Sequence, residues 1–516
     1  MHSDLDFQVS DKLNATDYTE TVKYSGNRVV NYEYSPSNSD FSNGITFDNI
    51  IPIGDVSTRL MSRDIKIRYT LTITSIQAAG ARNHIFPHGV LYQDGALVVN
   101  SSLRAFPLQS ISDSVIIGLN NCNRTWNSRQ TLSPLLRLIN ISKLIQKSST
   151  CPCRPDNQFS LLNDISVSLA LLSINHPQST NTRTLLGYSR NSLYPSSYTS
   201  VVGPPLTFTW VFDIEESLLF PGICSIDENA PFLPNIQNLN LSLNYSNYNL
   251  QSDILSCSPF LGGNTYNDTL FFTISKPKLV LSFIQADSKL IKIPRQYLTS
   301  FNQCDYFSTM IATDTDFSTI TQFTVTSEIY TLSSTPKLLC IFFRQPLSSR
   351  NGLGNTGAAR AYSFPQSDAC LGLQSDSPIS INYGTQYGLL STSNSMELYK
   401  MSVENGSNQT YSDWSSGSGA WIFIDIAKNC GIDLQNGETF PGENKSTQLQ
   451  VTLKLQTNNV VADLTSAAIL INNTNCELVV IPIYAGQMTI TPERVNFNTV
   501  LLNNTDVLKL VKQTTV

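Results

Sequence analysis

The sequence predicts an all-β protein: two tandem eight-stranded jelly rolls (a double jelly roll), with a few short helices in the loops. Three observations carry that prediction. The chain is 516 residues long, its apolar segments are short and separated by Gly, Pro and Asn, and one layout returns in the second half. A single hydrophobic core stops growing at roughly 250–300 residues, so this length divides naturally into two domains of similar size.

Only 14% of residues are charged, and Ser, Thr and Asn fill the polar positions. Those residues suit turns and strand surfaces better than long exposed helices. The net charge is −6, and neither terminus carries a basic block, which argues against direct nucleic-acid binding. The N-terminus, MHSDLDFQ, shows neither the basic n-region nor the apolar h-region of a secretory signal, so the expectation is a protein made soluble inside the cell. No apolar run approaches the roughly 20 residues that span a bilayer. The ten cysteines lie scattered and are expected to be reduced thiols. The N-x-S/T sites at Asn123, Asn240, Asn267 and Asn405 are what chance supplies in such a composition, and no glycosylation is read from them.

In chain order, residues 1–45 are polar and aperiodic and are expected to form an N-terminal arm. Residues 46–287 are assigned to the first jelly roll. Its clearest strand alternates Ile65, Ile67, Tyr69, Leu71 and Ile73 against polar neighbours, the period of a half-buried strand. Leu103–Asn121 follows, an apolar turn (Ala105-Phe106-Pro107) joined through a Ser/Asp spacer to an alternating strand with Val115, Ile117 and Leu119. A helix is expected over Ser133–Gln146, with Ser133 as cap and Pro134 at the first helical position. Pro204–Asp213, Ile236–Asn244 and Lys278–Gln285 read as strands, and 288–298 as a connector.

The second jelly roll is assigned to residues 299–505, before a tail at 506–516. Gln322–Ile329 and Pro336–Arg344 read as its first strands. The opening layout then recurs: Phe364-Pro365 matches Phe106-Pro107, Ile379–Asn382 matches Ile116–Asn120, and a helix from Ser395 to Val403 matches the one from Ser133. The offsets run from 258 to 262 residues, which argues for two copies of one topology.

Candidate chemistry is thin. Gly352-Leu-Gly-Asn-Thr-Gly357 spells G-x-G-x-x-G, but Pro365 leaves no room for the phosphate-binding helix. His84 and His88 have i, i+4 spacing with Pro87 between them, which forbids the regular helix a zinc pair needs. Cys151-Pro-Cys153 is too tight for a C-x-x-C pair, and Gly417-Ser-Gly419 lacks the frame of a nucleophile elbow. Glu215-Glu216 is read as a solvated pair without a second carboxylate across a cleft. No catalytic, cofactor-binding or metal residue is therefore assigned, no cofactor is expected, and the protein is not expected to be an enzyme.

The residues do carry a family resemblance. Phe47-Asp48-Asn49-Ile50, Ser62-Arg63-Asp64-Ile65 and Arg104-Ala105-Phe106-Pro107-Leu108 with Asn120 behind it lie in the first half. Ser327–Arg344, Ile379–Asn382, Gly388–Ser391, Leu398-Tyr399, Asn405-Gly406, Asp413-Trp414, Phe440–Gly442 and Gln448–Thr452 follow in order. This set resembles the double jelly-roll major capsid proteins of virophages and polinton-like viruses, more distantly related to the adenovirus hexon. Thr335, where an Ile is usual, and Tyr383-Gly384, in place of a second Asn, depart from the pattern.

The resemblance implies a virion protein: homotrimers with a pseudo-hexagonal outline, packed with neighbouring capsomers, penton and other minor capsid proteins into an icosahedral shell. It also implies loops at Gln178–Val202 and Asn351–Phe364 standing at the outer barrel ends, and an arm at the inner or lateral face. The alternative is a secreted or surface β-sandwich adhesin or carbohydrate-binding protein.

Overall fold

The computed structural model describes residues 5–8, 21–24, 29–52, 54, 59–77, 83–85, 91–93, 96–98, 101–140, 142–144, 150–153, 197–201, 207–224, 232–245, 254–257, 268–285, 295–311, 322–344, 372–416, 419–430, 446–456 and 476–498. In the first half eight strands carry the fold: β1 Val29–Tyr34, β2 Gly44–Ile50, β3 Lys66–Gln77, β4 Ser114–Leu119, β5 Cys122–Trp126, β6 Thr207–Ser217, β7 Leu239–Asn244 and β8 Asp268–Gln285. They form two sheets, β1-β8-β3-β6 and β2-β7-β4-β5.

The second half repeats this. Its strands are β9 Tyr297–Cys304, resumed at Phe307–Ile311; β10 Gln322–Thr326, resumed at Tyr330–Leu332; β11 Leu338–Arg344; β12 Ile379–Tyr383; β13 Gln386–Leu389; β14 Ile422–Ile424; β15 Thr447–Gln456; and β16 Cys476–Ile490. The sheets are β9-β16-β11-β14 and β10-β15-β12-β13. Strand n of the first half thus has its counterpart in strand n+8 of the second. Each half pairs its first strand with its last, the order of an eight-stranded jelly roll.

Local chemistry explains the strands. The alternation of β3 buries Ile67, Tyr69, Leu71 and Ile73 and turns Arg68, Thr70, Thr72 and Thr74 outward. The β4–β5 hairpin closes on Asn120 and Asn121, whose φ angles are 42° and 65°; a two-residue turn with both residues left-handed suits Asn. Its counterpart between β12 and β13 uses Gly384 at φ 59°. Pro277 interrupts the 18-residue β8 where the register with β3 shifts between Ser275 and Lys278, so the missing N–H falls at a bulge.

Several expectations change. Pro107 and the start of the spacer form a helix, α1 (Pro107–Ile111), with Phe106 at φ 50° before it and Ser112 extended after it. Helix α2 spans Ser128–Leu138, so Ser133 is not its cap, and Pro134 lies inside it rather than at its first position. Packing decides this: Leu132 and Leu136 are buried, and their burial outweighs the one helical hydrogen bond that Pro134 removes. Helix α3, Ser395–Glu404, begins where expected, capped reciprocally by Asn394 and Glu397. The short helices α4 (Tyr411–Ser416) and α5 (Ile426–Asn429) follow it.

Residues 29–34, counted with the arm in the sequence, form β1, and Leu5–Gln8 pairs with Thr21–Tyr24. Ser197–Val201, the end of the expected loop Gln178–Val202, extends the sheet beside β6. Phe364-Pro365 and Asn351–Phe364 lie outside the described residues. Phe106, Val115 and Ile117 are fully buried, as expected of barrel core.

Candidate functional site: the seam between the barrels

Strands β11 and β14 and the first half of β16 are apolar on both faces. Leu339, Ile341, Phe343, Leu478 and Val480 point into the second barrel, while Cys340, Phe342, Trp421, Phe423, Val479, Ile481 and Ile483 form a separate cluster outside it. Continuous apolar runs such as LLCIFF in β11 are what two-sided burial requires. Leu135 and Leu138 of α2, a first-barrel helix, pack against the outer cluster. The buried Arg137 guanidinium lies 4.7 Å from the Trp421 ring centroid, a cation–π contact strengthened by burial.

Polar groups fix the register of this contact. Asn408, from the second half, donates through Nδ2 to the carbonyls of Leu136 (2.9 Å) and Ile139 (2.7 Å), and through its backbone N to Arg137 (2.8 Å). These are carbonyls that the last turn of a helix leaves without partners. Nearby, Arg344 Nε donates to Glu477 Oε1 at 2.7 Å, and the two side chains are 1% and 6% exposed. Tyr306 Oη donates to Glu477 Oε2 (2.9 Å), and Arg344 Nη2 reaches Gln130 of α2. A buried ion pair with this much hydrogen bonding offsets its desolvation.

The other end of the seam is bolted by Asn120. Its Nδ2 donates to Asn235 O (2.7 Å) and, across the barrels, to Thr491 O (2.8 Å), while its Oδ1 accepts from Gln237 N (2.7 Å). Phe301 of β9 packs edge-on against Phe497, with the Arg124 guanidinium 5.6 Å and 4.9 Å from the two centroids. A groove of about 80 Å³ remains between Trp126, Phe220 and Asp305. Gly222, at φ 82°, touches Phe301 so closely that a Cβ would lie 2.5 Å from the Phe301 Cβ; only glycine fits.

Under α1 lies the residue that the sequence reading placed wrongly. Glu215 is at the surface, bonded to Lys66 and Arg68, whose cations hold its carboxyl below the usual range against the opposing effect of burial. Glu216 is fully buried rather than solvated. It accepts from Leu108 N (3.0 Å), Gln109 N (2.9 Å), Gln109 Nε2 (2.8 Å) and Tyr69 Oη (2.9 Å). Burial pushes its pKa up despite these four donors. The series Trp210, Phe212, Ile214, Glu216 is the signal that places it inward.

Among the described residues, the other candidates carry no assembled chemistry. Cys151 and Cys153 are buried, and burial raises the Cys151 pKa well above its ordinary value, the opposite of an activated nucleophile. His84 lies on the short strand Asn83–Ile85; His88, Gly352–Gly357 and Ser418 lie outside the described residues. Among the described residues, no group of three or more His, Cys, Asp or Glu could hold a metal ion, and no helix is long and apolar enough to cross a membrane. The arrangement holds two barrels in one orientation and joins them at both ends of the seam.

Comparison with known proteins agrees with that geometry. Residues 6–171 match the family model of the Sputnik virophage major capsid protein first domain, and residues 295–424 that of the major capsid protein V20 C-terminal domain. The cryo-EM structure of the Sputnik virophage contains a chain that superposes with a TM-score of 0.73 at 20% identity, covering 97% of this chain and 94% of that one. The mavirus major capsid protein superposes with a TM-score of 0.67 at 15% identity, covering 97% and 95%. No curated protein sequence matches.

Proposed function

We propose, from the premise that this chain belongs to the double jelly-roll major capsid proteins of the virophage kind, that it builds the shell of a virion as a homotrimer. The carrying observation is the repeated strand order, with two similar barrels locked side by side. Three such chains present six similar barrels in a ring, an outline that packs as a hexagonal lattice. A closed trimer uses one heterologous interface three times.

In this reading the chain is structural and not an enzyme. Its partners are further copies of itself, neighbouring capsomers, and penton and minor capsid proteins at sites that trimers alone do not fill. The acidic balance of −6 supports a shell that encloses the genome without gripping it. We divide the chain as arm 1–45, first jelly roll 46–287, connector 288–298, second jelly roll 299–505 and tail 506–516, with β1 swung from the arm into the first barrel. The adhesin alternative calls for a glycan site, whereas both matched families are capsid domains.

Light scattering on the purified protein tests the proposal. A particle of three times the 57.1 kDa chain mass, with hexagonal capsomers in electron micrographs, is expected; a stable monomer with glycan affinity overturns it.

A further inference from the structure

Among the described residues, the repeat leaves one surface of each kind uncovered. In the second barrel, the outer face of β9-β16-β11-β14 is covered by α2 of the first barrel. The corresponding face of the first barrel, on β6, β3 and β8, carries Thr70, Thr72, Val211 and an exposed Phe271. The corresponding helix of the second barrel is α3. The shift that carries Leu132 onto Leu398 and Leu136 onto Ser402, all four turned into their own barrels, carries Gln130 onto Met396 and Arg137 onto Val403. Gln130 and Arg137 are the α2 residues that reach across the seam to Arg344 and Trp421. Met396 and Val403 stand 40% and 43% exposed with exposed Lys400 between them, an edge of α3 that no described residue of its own chain covers in the way the seam covers α2.

Resting on the homotrimer reading, we propose that α3 of one copy packs on the outer face of β6-β3-β8 of the next, reproducing between copies the contact α2 makes within the chain. The occupant is a second copy because the chain's own first barrel is already on the far side of the seam. Repeating the barrel-to-barrel step from the second barrel leads out of the molecule. Three copies then close the ring through one contact used three times. The receiving surface suits a helix. Threonines keep it flat and their methyl groups supply apolar area, the charged groups Lys66, Arg68, Glu33 and Glu215 are paired with one another at one end, and the Asp213 carboxylate on the same face accepts from Thr70 Oγ1 at 2.8 Å.

Two measurements test the placement. A Met396→Glu/Val403→Glu variant, altered only at exposed positions, is expected to lose the trimer and elute as a monomer with unchanged circular dichroism and a single cooperative unfolding transition. Separately, benzoylphenylalanine replacing Val403 in the full chain is expected, after irradiation, to attach to residues 66–77, 207–217 or 268–275 of another copy, read by mass spectrometry. An intact trimer in the double variant, or attachment elsewhere, overturns the placement while leaving the trimer itself standing. A wild-type monomer overturns the trimer reading instead. Should the double variant misfold, the cross-link alone decides.

Discussion

Replacing Glu216 with alanine removes an acceptor on which three buried donors depend. Leu108 N and Gln109 N, both in the first turn of α1, and Tyr69 Oη lose their partners, whereas Gln109 Nε2 keeps its bond to Ser217 O at 2.9 Å. At about 1–3 kcal/mol for each orphaned buried donor, the expected loss is about 3–5 kcal/mol, because relaxation and entering water recover part of the total. For a domain of this size that lowers the melting temperature by about 6–20 °C. Urea unfolding followed through tryptophan fluorescence, supported by calorimetry, measures it. Glu216→Gln gives the pH dependence. The folded pKa of Glu216 is raised, so the stability its carboxyl contributes is fully present below the unfolded value of about 4.3 and is lost as pH rises through the folded value. The non-titrating Gln variant should therefore cost more at pH 4 than at pH 7. A Glu216→Ala loss under about 1 kcal/mol, or a Gln cost that grows with pH, refutes the view that burial outweighs the four donors at this carboxyl.

The remaining predictions concern packing, the seam and the thiols. Phe106→Ala should cost about 3–5 kcal/mol, since the ring is fully buried; denaturant titration reads it, and a near-neutral result contradicts the core position. Arg344→Met should cost about 3–5 kcal/mol by leaving Glu477 buried without its ion pair, and Arg344→Met with Glu477→Leu should recover most of that, measured by calorimetry on the two variants. Asn408→Ala should cost about 1–3 kcal/mol through two lost bonds to the end of α2, visible as a lowered urea midpoint. Burial, together with the neighbouring acidic groups, pushes the thiols of Cys304, Cys430 and Cys476 up to about 12. Folded protein at pH 8 should therefore alkylate slowly at these three positions by peptide mapping. Their stabilising contribution, present below about 8.5, should fall away as pH rises towards 12.

How much of this was legible depends on whether the deciding contact is local. Ile65 to Ile73 announce a strand because a half-buried strand imposes period two on its own residues. The helix expected from Ser395 appears as α3, and its cap, Asn394 with Glu397, is made within four residues. Ser133-Pro134 misleads for the same reason: it looks like a local start signal, yet the helix is held from Ser128 by Leu132 and Leu136 against the barrel, and sequence spacing does not show that surface. Glu216 was missed by reading Glu215-Glu216 as a pair. On a strand, neighbours face opposite ways, so one met Lys66 and Arg68 and the other met α1. The seam left a trace in the unbroken apolar runs of β11 and β16, which say that both faces are covered but not by what.

The two barrels differ in a way that their shared topology does not demand. The outer face of the second barrel is built from Phe342, Trp421, Phe423 and Ile481, all fully buried or nearly so, whereas the matching face of the first carries threonines. A face covered within the chain is never presented to solvent after folding and can be as apolar as a core. One that waits for another copy stands open in the free monomer, where a contiguous apolar patch of several hundred Å² promotes indiscriminate association. Threonine resolves that conflict: its hydroxyl keeps the waiting face wetted, and its β-branched methyl still packs when a helix arrives. The asymmetry between the faces therefore follows from the order of events, with the seam closing during folding and the α3 contact closing on assembly. Exchanging Thr70 and Thr72 for Ile should then raise aggregation of the free chain, read by light scattering at fixed concentration, without lowering its melting temperature; a variant that stays as soluble as the wild type would show that the threonines serve some other end.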